Sequence, residues 1–143
     1  MTTYDQVTDA LGASIRTFDP SFVADVNLFN YQPRTVVPPC AIIKPQAHRT
    51  VDYVTGQSNS RTAKWHFLIM LVIGEVDEHA AQQEAGALVS PGSPLINAVR
   101  ATKFPTSGFA VVTQGAVSQM AVKTRDGGEA LYTYAQLSVL VEA

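Results

Sequence analysis

Apolar residues recur at spacings of three and four near the start of the chain, which predicts an amphipathic helix from about residue 3 to residue 18. Thr2 or Thr3 can cap its start, and Asp19-Pro20 ends it, because a proline disfavours the helical conformation in the residue before it. From Phe22 to Arg34 we expect a short helical turn and then an irregular lead-in. The residues on the apolar stripe are Tyr4, Val7, Leu11, Ile15 and Phe18.

The middle of the chain predicts strands. Cys40 to Lys44 is a short apolar run with prolines on both sides, as at an edge strand or a strand start, and Thr50 to Val54 alternates. Phe67 to Ile73 is apolar at every position, so this strand is expected to be buried on both faces. Helices can cover one face, and the other needs more of this domain or another subunit.

Two helices are predicted after that strand. Asp77 stands where an N-cap residue is expected, ahead of an alanine-rich helix that runs to about Ser90. Its apolar stripe is Ala81, Ala85, Leu88 and Val89. A turn over residues 90–94 then leads to a second short helix, whose buried side holds Leu95, Ile96, Val99 and Phe104.

The last third of the chain predicts three strands, at Phe109–Val112, Ala116–Thr124 and Glu129–Val141, with a hairpin turn at Arg125–Gly128 before the third. Alternation divides the final strand into two faces. Leu131, Leu137, Val139 and Val141 share the face predicted for the core. The other face carries Tyr132, Tyr134, Gln136 and Ser138, and its first three residues are predicted to lie at an interface, where aromatic side chains are enriched.

These elements predict a single α+β domain over residues 1–143. Its mainly antiparallel or mixed sheet is flanked by the N-terminal helix and the central helical pair, and it closes with a long C-terminal β-hairpin. The final strand of about thirteen residues exceeds the usual five or six. Part of it should therefore project past the core or pair with a neighbour.

Composition favours a protein that assembles. Hydrophobic residues make up 46% of the chain and charged residues only 15%, fewer than a typical soluble surface carries. The formal net charge is −2 with no basic block, which argues against sequence-specific nucleic-acid binding. The longest apolar run is far short of the roughly 20 residues that span a bilayer, so no membrane association is expected.

The ionisable residues predict no catalytic, cofactor or metal site. His48, His66 and His79 share no zinc-binding motif, and His66 between two aromatic residues is typical of a satisfied, partly buried histidine. The cluster from Glu75 to His79 is better explained by capping at a helix start than by acid–base chemistry. Cys40 has no histidine near it in sequence and is expected to be a small buried hydrophobe. We therefore predict that the protein is not an enzyme.

Between the second predicted strand and Trp65 the chain is polar and rich in residues that favour loops. It offers few apolar side chains that could anchor it. We expect a mobile loop that could become ordered on docking. Its central residues are Gly56, Gln57, Ser58, Asn59, Ser60 and Arg61.

Several pieces of the chain, taken in order, resemble the tail terminator proteins of long-tailed bacteriophages, particularly those that infect actinobacteria. The resemblance covers nearly the whole chain. Its pieces are Tyr4-Asp5-Gln6-Val7, Pro38-Pro39-Cys40-Ala41-Ile42-Ile43, Val51-Asp52-Tyr53, Trp65-His66-Phe67, Gly74-Glu75-Val76-Asp77-Glu78, the turn and helix from Ser90 to Val99, and the closing hairpin with its tyrosines.

The resemblance implies a hexameric ring in the virion that caps the head-proximal end of the tail tube. Such a ring stops addition of the major tail tube protein and presents a surface to the head-completion, or neck, protein. It implies that the loop from Gly56 to Arg61 faces the tube or the neck, and that DNA passes through the lumen without being read. Arg34, Lys44, Arg49 and Lys123 are candidates for lumen or neighbour contacts, although solvated surface would also explain each of them.

Three other functions stay open at the level of sequence. The chain could be another ring protein of the neck or of tail completion. It could be a small-ligand-binding α+β module with a pocket between the sheet and the helix that starts at Asp77. It could also be an enzyme that uses the cluster from Glu75 to His79, which would require those groups to converge in a cleft.

Overall fold

A computed structural model describes residues 2–47, 50–53, 63–74, 78–105, 107–123 and 126–143. Within these ranges the chain forms three helices and six strands. In chain order they are α1 (Tyr4–Phe18), β1 (Leu28–Phe29), β2 (Cys40–Pro45), β3 (Val51–Tyr53), β4 (Ala63–Gly74), α2 (Glu78–Val89), α3 (Pro94–Arg100), β5 (Phe109–Lys123) and β6 (Glu129–Glu142).

The strands form one mixed sheet in the order β1-β2-β4-β6-β5, and β3 pairs with β4 beyond the end of β2. The pairing of β1 with β2 is parallel and all the other strand pairings are antiparallel. The sheet, its N-terminal helix, its helical pair and its C-terminal hairpin confirm the predicted α+β fold class.

Helix α1 begins and ends as the sequence predicts. The Thr3 hydroxyl accepts a hydrogen bond from the Gln6 backbone N–H, and the Gln6 side chain accepts one from the Thr3 N–H, which makes a capping box. Asp19 leaves the helix in an extended conformation before Pro20. The apolar stripe packs into the core, with Val7, Leu11 and Ile15 fully buried.

Strand β4 lies in the interior of the sheet and is covered on both faces. Phe67, Ile69 and Leu71 point to the helix side and join the main core. Met70 and Val72 point to the opposite side, in a second buried cluster with Cys40, Ile42 and Val36. Part of the second face is therefore covered by the domain's own segment before β2.

The stretch predicted as a helical turn and an irregular lead-in contains a short strand. Leu28–Phe29 forms β1 and pairs with Ala41 and Ile42 of β2. Leu28 is buried in the main core, which holds this segment against the sheet. The prediction missed β1 because two residues are too few for a strand pattern to be recognised.

The helical pair packs on the helix side of the sheet through small and apolar residues. Ala81 and Ala85 of α2 are fully buried, as are Leu95 and Val99 of α3. Ser93 caps α3, because its hydroxyl accepts a hydrogen bond from the Ile96 N–H at 3.1 Å. Asp77, the predicted cap of α2, lies outside the described residues.

Strand β5 corrects the prediction of two strands between Phe109 and Thr124. The segment that was expected to separate them continues the pairing, since Gln114 and Gly115 lie opposite Ser138 and Leu137. The irregularity is a shift of register between Val112 and Gln114, as in a β-bulge. Polar Thr113 and Gln114 and a glycine read as a break in the sequence, but the ladder to β6 holds them in the sheet.

The hairpin of β5 and β6 extends beyond the rest of the sheet. Strand β4 stops pairing with β6 at Gly74 and Thr133, so residues 129–132 and their partners in β5 project past it. Leu131 lies on the predicted core face but is 54% exposed, because its part of the hairpin extends past the end of β4. The expectation that part of the long strand projects past the core is confirmed.

Candidate assembly surface

The outer edge of β5 is the longest open edge of the sheet in the described part of the chain. Strand β5 has 15 residues and pairs only with β6, on its inner side. From Phe109 to Val122 it carries neither a charged residue nor a proline. Proteins usually protect long edge strands with charge, proline or a covering element, because a bare edge is a template for another strand.

The hydrogen-bond pattern shows which backbone groups of β5 point outward. Ala63 and Ala143 exchange both backbone hydrogen bonds, at 2.9 and 3.0 Å. Since bonded pairs alternate along an antiparallel ladder, odd-numbered residues of β6 bond β4 and even-numbered residues bond β5. The outward N–H and C=O groups before the bulge therefore belong to Ala110 and Val112. After the bulge they belong to Gly115, Val117, Gln119 and Ala121.

A groove of about 560 Å³ runs beside this edge, between the first half of β5 and the helical pair. Its helical wall includes Val89, Ile96 and Arg100, and its strand wall is residues 110–115. The two walls approach each other closely at Gly115, where an added Cβ would lie 2.9 Å from the Cβ of Val89. Backbone hydrogen-bonding groups thus stand next to apolar side chains, which is the arrangement that accepts an added strand.

The same part of β5 also carries exposed apolar side chains on the face of the sheet away from the groove. Phe109 is 51% exposed and Val111 is 41% exposed. Their partners in β6 are Glu142 and Leu140. A strand added to this edge would cover apolar surface on this face as well as in the groove.

The structure places the predicted interface residues Tyr132, Tyr134 and Gln136 on one face of β6. They lie on the side away from the helices and are only partly exposed. Tyr132 and Tyr134 pack against the second buried cluster, together with Met120 and Val122. This packing gives the two tyrosines a role inside the domain, and their role at an interface stays a prediction.

Sequence reasoning missed the edge of β5 as a candidate site. The signal was present, since fourteen consecutive residues without charge or proline are unusual for a strand at an edge. It could not be used, because the pattern does not show whether a strand lies at the edge or in the middle of a sheet. The order of the strands supplies that information.

Of the remaining predicted site residues, some lie outside the described part of the chain and some lie within it. Arg49 and the loop from Gly56 to Arg61 lie outside the described residues, as do Glu75 and Asp77. Arg34 is exposed and Lys44 is half-buried near the end of β2. Lys123 ends β5, but its side chain also lies outside the described part.

His66 and Cys40, two of the described ionisable residues, have environments that explain them without chemistry. His66 Nε2 lies 2.9 Å from Asp52 Oδ2, which confirms the prediction of a satisfied, partly buried histidine. Burial raises the pKa of the Cys40 thiol to about 11, in agreement with the prediction of a small buried hydrophobe. Within the described ranges no three His, Cys, Asp or Glu residues are grouped so that they could hold a metal ion.

One cleft between the sheet and α2, where a ligand-binding module would have its pocket, is small. It lies beside α2, is lined by residues that include Leu71, Glu84 and Leu88, and has a volume of about 110 Å³. Sites for small molecules usually occupy roughly 300–1,000 Å³. This cleft is therefore too small for that role, whereas the groove between β5 and the helical pair, at about 560 Å³, falls within the range. By volume, the ligand-binding alternative applies to that groove.

No protein-family model matches the chain, and no curated protein matches it significantly. The longest helix, α1, has 15 residues, and among the described residues no helix has the length and apolar character needed to cross a membrane.

Proposed function

We propose that this protein is a structural subunit that assembles with copies of itself into a ring, and that the ring caps the head-proximal end of a phage tail tube. The observation that carries the proposal is the edge of β5, which is long, uncharged and flanked by a groove. An edge of this kind promotes aggregation unless a specific partner covers it. A subunit that works by assembly has such a partner in its own neighbour.

The shape of the sheet favours a ring over a pair. A twofold dimer uses the same patch on both subunits, whereas a ring joins two different patches head to tail. The opposite side of this sheet is unlike β5, since its outer strands β1 and β3 have only two and three residues. Two unlike edges on one subunit suit a head-to-tail contact. The order of six for the ring comes from the resemblance to tail terminators.

In this proposal the protein acts by shape and not by catalysis. The ring stops addition of the major tail tube protein, and its other surface receives the head-completion protein. Its place is in the virion, and DNA passes through its lumen without sequence recognition. The net charge of −2 fits that last point, because a subunit without excess positive charge gains little from phosphate contacts.

The first experiment measures the native mass of the protein, alone and with purified tail tubes. We expect a ring of several subunits that binds tube ends and halts polymerisation of the tube protein. The edge variant Val111→Asp should lose the ring, since a charge on an exposed edge opposes strand addition. The matched control is Val26→Asp, at a valine that is 71% exposed in a turn and should not affect assembly.

Two results would contradict the proposal. One is a wild-type protein that stays monomeric both alone and with tail tubes. The other is a ring that binds the neck of the head but never a tube, which would favour the alternative of a neck protein. Circular dichroism of each variant verifies that it remains folded.

A further inference from the structure

Four strands lie side by side at one end of the sheet, and β3 and β5 form its two edges there. A single row of cross-strand partners runs through Asp52, Lys64, Glu142 and Phe109, one from each of β3, β4, β6 and β5. Among the described residues neither β3 nor β5 has a strand on its outer side. The two edges therefore stand at the same level on opposite sides of the domain.

The strand directions make these two edges compatible. All three pairings across this end are antiparallel, so β3 and β5 run in opposite directions. Rotation about an axis roughly along the strands preserves the direction of each strand. In a neighbouring copy generated by this rotation, β3 runs antiparallel to β5 of the first copy. The sheets of successive copies can therefore join with antiparallel pairing throughout.

The backbone groups of the two edges also match. The Thr50 carbonyl accepts a hydrogen bond from the His66 N–H at 2.8 Å. By alternation, the groups of Val51 and Tyr53 point away from β4. Val51 shares its row with Ala110 of β5, through Trp65 and Val141, and the next outward groups of β5 belong to Val112, which is level with Phe67. A stagger of two residues, of the kind that strand tilt produces in a closed sheet, pairs Tyr53 with Ala110 and Val51 with Val112. All four residues have side chains on the helix face. Pairing them keeps the helix faces of both copies on the same side.

The side chains of β3 suit the groove. Tyr53 is 76% exposed, and its cross-strand partner Ala63 places it on the helix face. In the neighbouring copy this face of the added strand meets the groove wall with Ile96 and Arg100. The apolar wall can cover the tyrosine ring, and the guanidinium of Arg100, the charged residue among those lining the groove, can stack on it.

We propose that β3 of one copy adds as a strand to the β5 edge of the next copy, with Tyr53 in the groove between β5 and α3. This inference rests on the proposed ring and names the contact that closes it. The occupant of the groove is thus a second copy of this chain. Each copy gives β3 to one neighbour and receives β3 from the other.

Mixing two single variants tests the contact. Tyr53→Asp alters the donated strand and leaves the groove intact, while Val111→Asp alters the receiving edge and leaves β3 intact. Each variant alone should be monomeric by native mass spectrometry. An equimolar mixture should form a 1:1 complex and nothing larger, because only one productive contact remains between the two. Val26→Asp should form the wild-type ring.

Two other outcomes of the mixing experiment contradict the inference without contradicting the proposed ring. If Tyr53→Asp forms the wild-type ring, β3 is not the donated strand. If Tyr53→Asp stops at a dimer that Val111→Asp cannot form, two β5 edges pair with each other. A wild-type protein that is monomeric alone and on tail tubes contradicts the proposed function itself.

Hydrogen exchange gives a second measurement that needs no variant. On assembly, the amides of Val51, Tyr53, Ala110 and Val112 should exchange more slowly, by a factor of up to about ten. The amides of Gln119 and Ala121 also point outward from β5, but they lie beyond the reach of three-residue β3 and serve as the internal control. Equal protection along all of β5 would show that a longer strand occupies the edge.

Discussion

Val36 and Val37 are adjacent in sequence but differ in burial, and this difference leads to a quantitative prediction. Val36 is buried in the second cluster against Cys40, Ile42, Met70 and Val72, whereas Val37 is 65% exposed. Val36→Ala removes two buried methyl groups, which costs about 1.6 kcal/mol in transfer free energy. The space left behind raises the loss of unfolding free energy to about 2 kcal/mol.

Urea denaturation at one fixed protein concentration measures this loss. With a slope of about 2 kcal/mol per molar urea, the midpoint of Val36→Ala should fall by roughly 1 M. Val37→Ala should change the free energy of unfolding by no more than about 0.5 kcal/mol. Equal effects of the two substitutions would refute the reasoning, since they would mean that the segment before β2 does not cover the sheet.

Three further predictions concern other parts of the core and the backbone. Because burial raises the pKa of Cys40 from 9.0 to about 11, the folded state holds this proton more tightly than the unfolded state. The stability that wild type has over Cys40→Ala should therefore be constant below pH 9 and decline as pH rises toward 11. A difference in urea midpoints that does not change with pH would contradict this prediction. Gly86→Ala should raise the free energy of unfolding by up to about 1 kcal/mol, because a Cβ on this helical residue meets nothing within 4 Å. Gly108→Ala should lower the free energy of unfolding by about 1–3 kcal/mol, because φ is +143° and the new Cβ would meet the Glu142 carbonyl. Thermal or urea unfolding that ranks these two variants in the opposite order would contradict the prediction.

Local patterns predicted most elements because local physics controls them. The stripe from Tyr4 to Phe18 and its cap at Thr3 define α1 through contacts within about four residues. The continuous apolar run from Phe67 to Ile73 predicted a strand buried on both faces, and β4 is one. In these segments the sequence contains both the periodicity and the signals that end it.

Predictions failed where the decision depends on residues far away in sequence. The break predicted between Val112 and Ala116 does not occur, because pairing with β6 holds Gln114 and Gly115 in the ladder. The interface predicted at Tyr132 and Tyr134, from alternation and from the enrichment of aromatic residues at interfaces, stays a prediction. The structure shows that both rings also pack on the second cluster.

By itself the sequence determined the class of the fold, the positions of α1, β4 and the closing hairpin, and the shortage of charged surface that points to assembly. Hydrophobic periodicity and composition encode these properties directly. Only the tertiary structure decided that β5 lies at the edge of the sheet, that α3 forms a groove beside it, and that β3 forms the opposite edge at the same level. The order of strands in a sheet depends on which distant segments pair, and a residue pattern within one strand carries no information about its neighbours.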